Sequence, residues 1–243
     1  MAIAEGSFES FVPYEDEHSI FVGQNGSGKT VAQNFIRRWV RGDDDLLRPR
    51  RYGLVYDAKG MLNDPHAKFP WGGETATTLA KVHKLASDPQ KHPWIIYAPV
   101  ATELRDVDYQ EAFFRLAYER RYNTVCVDET YAVCKWQIYP DSMFAILTRG
   151  REMLVPGMFS TQRPSKIPTE IMTECKVWFV FRLNRKSDRK TVADTIPVDE
   201  DALGELPAQH FYFYRDGDDA ATGPWRLRVK PDKGYPSLRS EAA

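Results

Sequence analysis

The sequence predicts an α/β fold: a mainly parallel central sheet flanked by helices and finished by a C-terminal β-hairpin. Three observations carry that expectation. Short apolar runs at 20–22, 54–56, 94–97, 124–127 and 177–183 are too brief for helices and alternate with stretches of helical spacing. The first run leads directly into a glycine-rich loop and then a helix. Near the end, aromatic stretches at 211–214 and 225–229 flank turn-forming residues at 216–219 and 222–224.

Taken in order, residues 1–18 are aromatic and acidic without clear periodicity, and are expected to form an irregular lead-in to the main domain, 19–230. Ile20, Phe21 and Val22 suit a buried parallel strand. Then Gly23, Gln24, Asn25, Gly26, Ser27, Gly28, Lys29 and Thr30 spell G-x-x-x-x-G-K-[ST], the phosphate-cradling P-loop or Walker A pattern. Gly26 and Gly28 let the backbone curl so that successive N–H groups face phosphate oxygens. The helix beginning near Lys29 adds its free N–H groups and positive dipole end. Lys29 is expected to reach the β- and γ-phosphates of ATP, and the Thr30 hydroxyl to ligate Mg²⁺. Val31, Phe35, Ile36, Trp39 and Val40 predict a helix reaching Arg41-Gly42.

A charged link follows, Asp43 to Asp45 and then Arg48, Arg50 and Arg51. It reads either as a solvated loop or as arginines that meet nucleic-acid phosphates. A strand at 53–56 ends in Asp57-Ala58-Lys59-Gly60, a polar cluster at the ligand edge of an open α/β sheet. Residues 61–74 are expected to be a long loop, 75–85 a helix, 94–97 a strand and 108–121 a helix with an acidic start and a basic end.

Residues 124–129, an apolar strand ending in Asp128-Glu129, form a Walker B pattern. Asp128 would hold the Mg²⁺ and Glu129 would polarise the attacking water. Beyond a helix expected at 141–149, ending in Thr148-Arg149-Gly150-Arg151, a strand over 154–160 leads to Thr161-Gln162-Arg163-Pro164. If that strand lies between the P-loop and Walker B strands, Gln162 is placed to sense the γ-phosphate or orient the water; otherwise it caps a turn. A short helix at 168–174, the strand at 177–183, a polar segment helical around 189–194 and the hairpin complete the domain, leaving 231–243 as a loose tail.

Composition narrows the function. Net charge is −1, so a nucleic-acid surface must be local rather than global. Cys126, Cys134 and Cys175 lack C-x-x-C spacing, which argues against a zinc site or disulfide framework and suits a reducing cytoplasm. No apolar run approaches the roughly 18 residues of a membrane span, and residues 1–6 do not resemble a signal peptide.

GQNGSGKT, YDAKG, TVCVDE and the Gly150-Arg151 pair followed by STQRPSKIP stand in a fixed order. Together they resemble the FtsK–HerA superfamily, and most of all the genome-packaging ATPases of tailless, membrane-containing viruses. The resemblance spans about residues 15 to 230. It implies a RecA-like P-loop NTPase of the ASCE type, working as a homo-oligomeric ring, commonly a hexamer. ATP would bind between subunits in the presence of Mg²⁺, and hydrolysis would drive double-stranded DNA through the centre. The setting implied is the host cytoplasm or a virion vertex, with capsid-vertex or portal proteins as partners. An arginine acting on the neighbouring subunit's nucleotide is also implied. Arg151 is the first candidate and Arg149 the second, against the alternative that both complement the helix dipole. Asp57 and Lys59 match a less understood family position. For DNA contact the candidates are Arg48 to Arg51, the 61–74 loop and the region of Lys135 and Trp136. Competing readings are an export ATPase of filamentous-phage type, a small-molecule kinase and a non-hydrolysing nucleotide-gated adaptor. The Asp128-Glu129 pair speaks against the kinase, and Glu129 with Gln162 against the adaptor.

Overall fold

The computed structural model describes residues 8–42, 46–64, 71–134 and 138–226. Eleven strands are present among them: β1 (Ser19–Val22), β2 (Trp39–Arg41), β3 (Leu47–Pro49), β4 (Gly53–Tyr56), β5 (Glu74–Ala76), β6 (Trp94–Tyr97), β7 (Thr124–Val127), β8 (Gly157–Thr161), β9 (Val177–Phe181), β10 (His210–Arg215) and β11 (Thr222–Arg226). Nine form one sheet in the order β11-β10-β9-β1-β8-β7-β4-β6-β5. From β9 to β5 every pairing is parallel, and β10 and β11 close one side as an antiparallel hairpin. The expected α/β class and terminal hairpin are therefore observed.

Strands covered on both faces read as short continuous apolar runs, and their alternating side chains divide between two cores. Ile20, Val22, Leu54, Tyr56, Val125, Val127 and Phe159 face the helices Val107–Arg120 and Asp141–Met153, where they meet Phe113, Phe114, Met143 and Ile146. Phe21, Val55, Cys126, Met158 and Phe179 face the other way, onto Ala32, Phe35 and Ile36 of the P-loop helix, Lys29–Ile36. Phe21 and Phe179 stack across β1 and β9 with ring centroids 4.5 Å apart. All three cysteines are free and buried, in line with core thiols.

Several local expectations are corrected. The P-loop helix stops at Ile36 instead of reaching Arg41. Arg37 turns inward and lays its guanidinium over the rings of Trp71 and Trp94, at 4.8 and 4.5 Å. Beyond it, Trp39–Arg41 pairs antiparallel with Leu47–Pro49, because tertiary hydrogen bonds override a helical spacing carried by residues that also favour strands. The charged link is thus partly a β-ribbon, and Asp43 to Asp45 lie outside the described residues.

The helix expected at 75–85 begins only at Leu79, capped by the Thr78 hydroxyl, since residues 74–76 extend to pair with β6. A short helix at Ala101–Arg105 had no strong signal. The helix expected to end at Arg149 runs to Met153, so Arg149 and Arg151 lie within it. The strand expected from 154 begins at Gly157, after Leu154 caps that helix with a left-handed backbone. The hairpin's second strand starts early, at Thr222, and takes in the supposed turn at 222–224; residues 227–229 lie outside the described residues.

Candidate nucleotide-binding and hydrolysis site

The motifs converge at the C-terminal edge of the parallel strands. β8 does lie between β1 and β7, which puts the tips of the Walker A and Walker B strands on either side of Thr161-Gln162. Register fixes this closely. Val22 is opposite Thr161, and the next amide, Gly23 N–H, donates to the Thr161 carbonyl at 3.2 Å. Gln24 N–H donates to the Arg182 carbonyl beyond β9, and Gln209 N–H to the Ser27 carbonyl, so three segments hold the loop.

Loop shape depends on glycine where expected. Gly28 carries φ 113° at the start of the helix and Gly26 φ 72°, backbone regions that a side chain rarely adopts. Gly23 is needed for another reason: a Cβ there would lie 2.6 Å from that of Phe181. The resulting cradle ends in a helix N-terminus, an arrangement suited to phosphate oxygens. Asn25 and Gly26 are exposed at its crown, whereas Ser27 is buried and its hydroxyl has no hydrogen-bond partner among the described residues.

Lys29 is buried, and its ammonium donates to the Gln24 carbonyl at 2.9 Å. Burial lowers its pKa to about 8; Glu129 and Asp128 oppose that shift and Lys59 adds to it. The Thr30 hydroxyl donates to Asp128 Oδ1 at 3.2 Å, bringing the two expected metal ligands together. A hydroxyl and a carboxylate are the hard oxygen donors that Mg²⁺ takes, so these residues fit the ion.

Glu129 Oε1 faces the tip of β8, where it accepts from the Thr161 hydroxyl at 3.3 Å and from the Gln162 amide at 3.4 Å. Beyond that tip, Asp188 pins the turn by accepting from the Ser165 hydroxyl at 2.6 Å and pairing with Arg163 at 3.3 Å. A cleft of about 380 Å³ opens here, lined in part by Gln24, Asn25, Gln162 and Arg163.

Two further side chains make contacts that the sequence did not show. Lys59, at the tip of β4, pairs with Asp128 Oδ2 at 3.2 Å and Glu129 Oε2 at 3.4 Å. Burial disfavours its ammonium, but the two carboxylates more than offset this and hold its pKa above the ordinary lysine value. The YDAKG run marked the position but not the contact. Gln33 of the P-loop helix donates to the carbonyls of Met158 (2.8 Å) and Val127 (3.4 Å), tying the helix to β7 and β8. Nothing in the sequence singled it out.

Arg149 and Arg151 are not brought to this edge. Both are exposed near the C-terminal end of the helix Asp141–Met153, beside the starts of the strands. Arg151 pairs there with Asp16 at 3.4 Å. His18 fastens the same helix end: its Nε2 lies 3.2 Å from the Leu147 carbonyl, and its Nδ1 accepts from Gly157 N–H at 2.7 Å. Burial lowers the His18 pKa to about 4, so the ring is neutral. Neither arginine can serve its own subunit's P-loop across the sheet.

The candidate DNA contacts also change. Arg50 is buried, donating to the Thr124 hydroxyl at 2.6 Å and the Trp39 carbonyl at 2.9 Å, and Arg48 pairs with Glu15. The structural needs of the ribbon and of β7 account for Arg50, while Arg48 and Arg51 remain exposed. Residues 65–70 of the 61–74 loop, and Lys135 and Trp136, lie outside the described residues. The larger cleft of about 460 Å³, lined in part by Arg48, Arg51, Tyr52 and Tyr122, is at the strand starts, and none of the Walker residues lines it.

Over 197 residues the chain is 33% identical to the DNA packaging ATPase P9 of Enterobacteria phage PRD1, covering 81% of this chain and 77% of that protein. The chain belongs to the viral DNA-packaging ATPases. This is the branch of the FtsK–HerA type to which its motif order pointed. No protein-family model matches it. Among solved structures, this packaging ATPase is similar to the genome packaging NTPase B204 of Sulfolobus turreted icosahedral virus 2. In complex with ATP-γS that protein gives a TM-score of 0.64 at 15% identity, over 88% of this chain and 99% of that one. The sulfate complex gives 0.63 at 17%, over 86% and 95%. ATPases 2 and 3 of EssC from Geobacillus thermodenitrificans give 0.50 at 14%, over 85% of this chain and 38% of that one. At these identities the likeness is one of fold, and the fold is that of a P-loop ATPase. No helix among the described residues is long and apolar enough to cross a membrane.

Proposed function

We propose that this packaging ATPase is a ring motor that hydrolyses ATP to drive double-stranded DNA, regardless of sequence, into a preformed capsid. The observation that carries the reading is the meeting of the P-loop, Asp128-Glu129 and Thr161-Gln162 at one sheet edge in a member of this family. Lys29 and the loop amides bind the β- and γ-phosphates. Thr30 and Asp128 hold Mg²⁺, which when bound neutralises phosphate charge. Glu129 accepts a proton from the attacking water and Gln162 orients that water. An arginine from the neighbouring subunit, Arg151 before Arg149, supplies the remaining positive charge. Its exposure at the opposite edge from its own P-loop suits delivery in trans. Family membership favours this motor over an export ATPase, a kinase or an adaptor.

The test is steady-state ATPase rate with and without double-stranded DNA over a range of protein concentration. Turnover should rise with both, and the DNA effect should fade at high salt, as phosphate contacts require. Lys29→Ala should abolish turnover. Wild-type turnover indifferent to DNA and concentration would sink the ring-motor reading while leaving the nucleotide site intact.

A further inference from the structure

Each carboxylate oxygen of the Asp128-Glu129 pair has a partner. Asp128 Oδ1 takes the Thr30 hydroxyl, and Glu129 Oε1 takes the Thr161 hydroxyl and the Gln162 amide. The other two oxygens, Asp128 Oδ2 and Glu129 Oε2, share one ammonium, that of Lys59. Lys29 does not compete for them directly, since its ammonium is bonded to the Gln24 carbonyl. Lys59 is thus the cation that bridges the two acids.

Its position is built into the backbone. β4 and β7 are paired with Tyr56 opposite Val127, so Asp57 follows β4 where Asp128 follows β7. The buried Asp57 carboxylate accepts from the amides of Lys59, Gly60 and Leu62, at 3.2, 2.8 and 2.8 Å. Gly60 completes the turn with φ 67°. Three backbone bonds to one carboxylate fix the turn, and the turn projects Lys59 across the strand gap. A lysine whose task was solvation would not need such a mount.

We propose that Lys59 is a positioning residue for hydrolysis: it holds the Glu129 carboxylate against the tip of β8, in the orientation from which that group meets the attacking water. The proposal rests on the reading of Glu129 as the base. Asp128 would also hold the metal ion, whereas the one direct ion pair of Glu129 among the described residues is that with Lys59, Lys29 acting on it only at longer range. With Mg²⁺ bound, Asp128 would share its charge with the ion, and the Lys59 pair with Glu129 would be the one left to orient the base. Without Lys59, Glu129 would keep only its two long bonds to β8, and the adjacent carboxylates would repel one another.

The experiment compares Lys59→Met and Lys59→Arg with wild type, using kcat and KM for ATP and the binding of a fluorescent ATP analogue with and without Mg²⁺. Lys59→Met should lower kcat by about 10²-fold, as expected when a reacting group is misplaced. Affinity for the Mg²⁺-bound analogue should move little, but without Mg²⁺ it should fall by roughly tenfold, because the phosphates then face two carboxylates that have lost their direct counter-ion. Lys59→Arg should recover a large part of kcat. Thermal unfolding of both variants separates these effects from loss of fold. In the Glu129→Gln background, Lys59→Met should have no further effect on turnover, because Lys59 acts through Glu129. Unchanged kcat overturns the proposal. So does a raised kcat, which would make Lys59 an inhibitory latch. Equal losses in both backgrounds would assign Lys59 a role independent of Glu129. If Glu129→Gln itself kept wild-type turnover, it would be the base assignment that failed.

Discussion

The two edges of the parallel sheet are built from the same strands and do opposite work. At the C-terminal edge, charged groups are brought together and held by backbone. Lys29 is tied to Gln24, Asp57 is wrapped by three amides, and Glu129 is seated against Thr161 and Gln162. At the N-terminal edge, charge is either spent on structure or left outside. Arg50 is buried against Thr124, Arg37 lies between two tryptophans, His18 is neutral, and Arg149 and Arg151 stay exposed. On the proposed reading, one edge receives a polyphosphate and is short of a further cation. The other offers cations with no phosphate within reach. Two copies in a ring would satisfy both, if the starts of one subunit's strands approach the tips of its neighbour's.

That complementarity can be broken most sharply at the arginines. Arg151→Ala should reduce turnover of the assembled protein by about 10³-fold or more, with Arg149→Ala as the fallback assignment. Mixing decides whether the edges belong to different subunits. Arg151→Ala subunits have an intact receptor, and Lys29→Ala subunits have an intact arginine. ATPase activity reappearing on mixing two inactive preparations would mean action in trans. Silence at every ratio, with assembly confirmed by light scattering, would remove Arg151 from the mechanism.

The next effect is confined to the receptor edge. Glu129→Gln should bind nucleotide with near-wild-type affinity yet lose about 10²- to 10⁴-fold in turnover, the range for removing a general base. Gln162→Ala should fall below that, by about 10²-fold or less, if it only orients the water. Binding of a fluorescent ATP analogue alongside single-turnover rates separates the two steps. A larger loss for Gln162→Ala than for Glu129→Gln would reverse the assigned roles.

The same contrast explains what the sequence revealed. The receptor edge was legible because its chemistry is local. The glycine spacing of the P-loop and the acids ending 124–129 announce themselves within a few residues. The placement of β8 between β1 and β7, on which the reading of Gln162 is conditional, comes from the sheet itself. What stayed hidden depends on distant partners. Lys59 gains its meaning only when β4 settles beside β7, and Gln33 only when the helix crosses β7 and β8. The early end of the P-loop helix goes with the pairing of Trp39–Arg41 onto Leu47–Pro49, and Arg37 finds its partners in Trp71 and Trp94, more than thirty residues downstream. Arg50 reads in sequence as one of a basic group, either solvated or facing phosphates, although its own contacts are a hydroxyl and a carbonyl inside the fold.

The smallest effect isolates the structural character of the second edge. His18 joins three elements, the start of β1, the end of the helix Asp141–Met153 and the start of β8, and does so as a neutral ring. With Gly157 N–H directed at Nδ1, Nε2 must carry the proton and donate to Leu147. A second proton, on Nδ1, would meet that amide head-on. Burial is the main reason the pKa drops from 6.5 to about 4; the charge of Arg151 lowers it further, while Asp16 and the Leu147 carbonyl oppose the shift.

Between pH 6.5 and 4 the unfolded chain binds a proton at His18 that the folded chain refuses, so this contribution is complete above 6.5 and is lost as pH falls towards 4. At about 1.4 kcal/mol per pH unit, the loss over that window is about 3 kcal/mol. His18→Gln keeps a donor for Leu147 but does not titrate. Its stability should be lower at pH 7.5 and should fall less steeply between pH 6.5 and 4, as read from urea unfolding at each pH. Parallel curves for wild type and variant would mean that His18 is protonated in the folded state, and the mount of the arginine helix would then need another explanation.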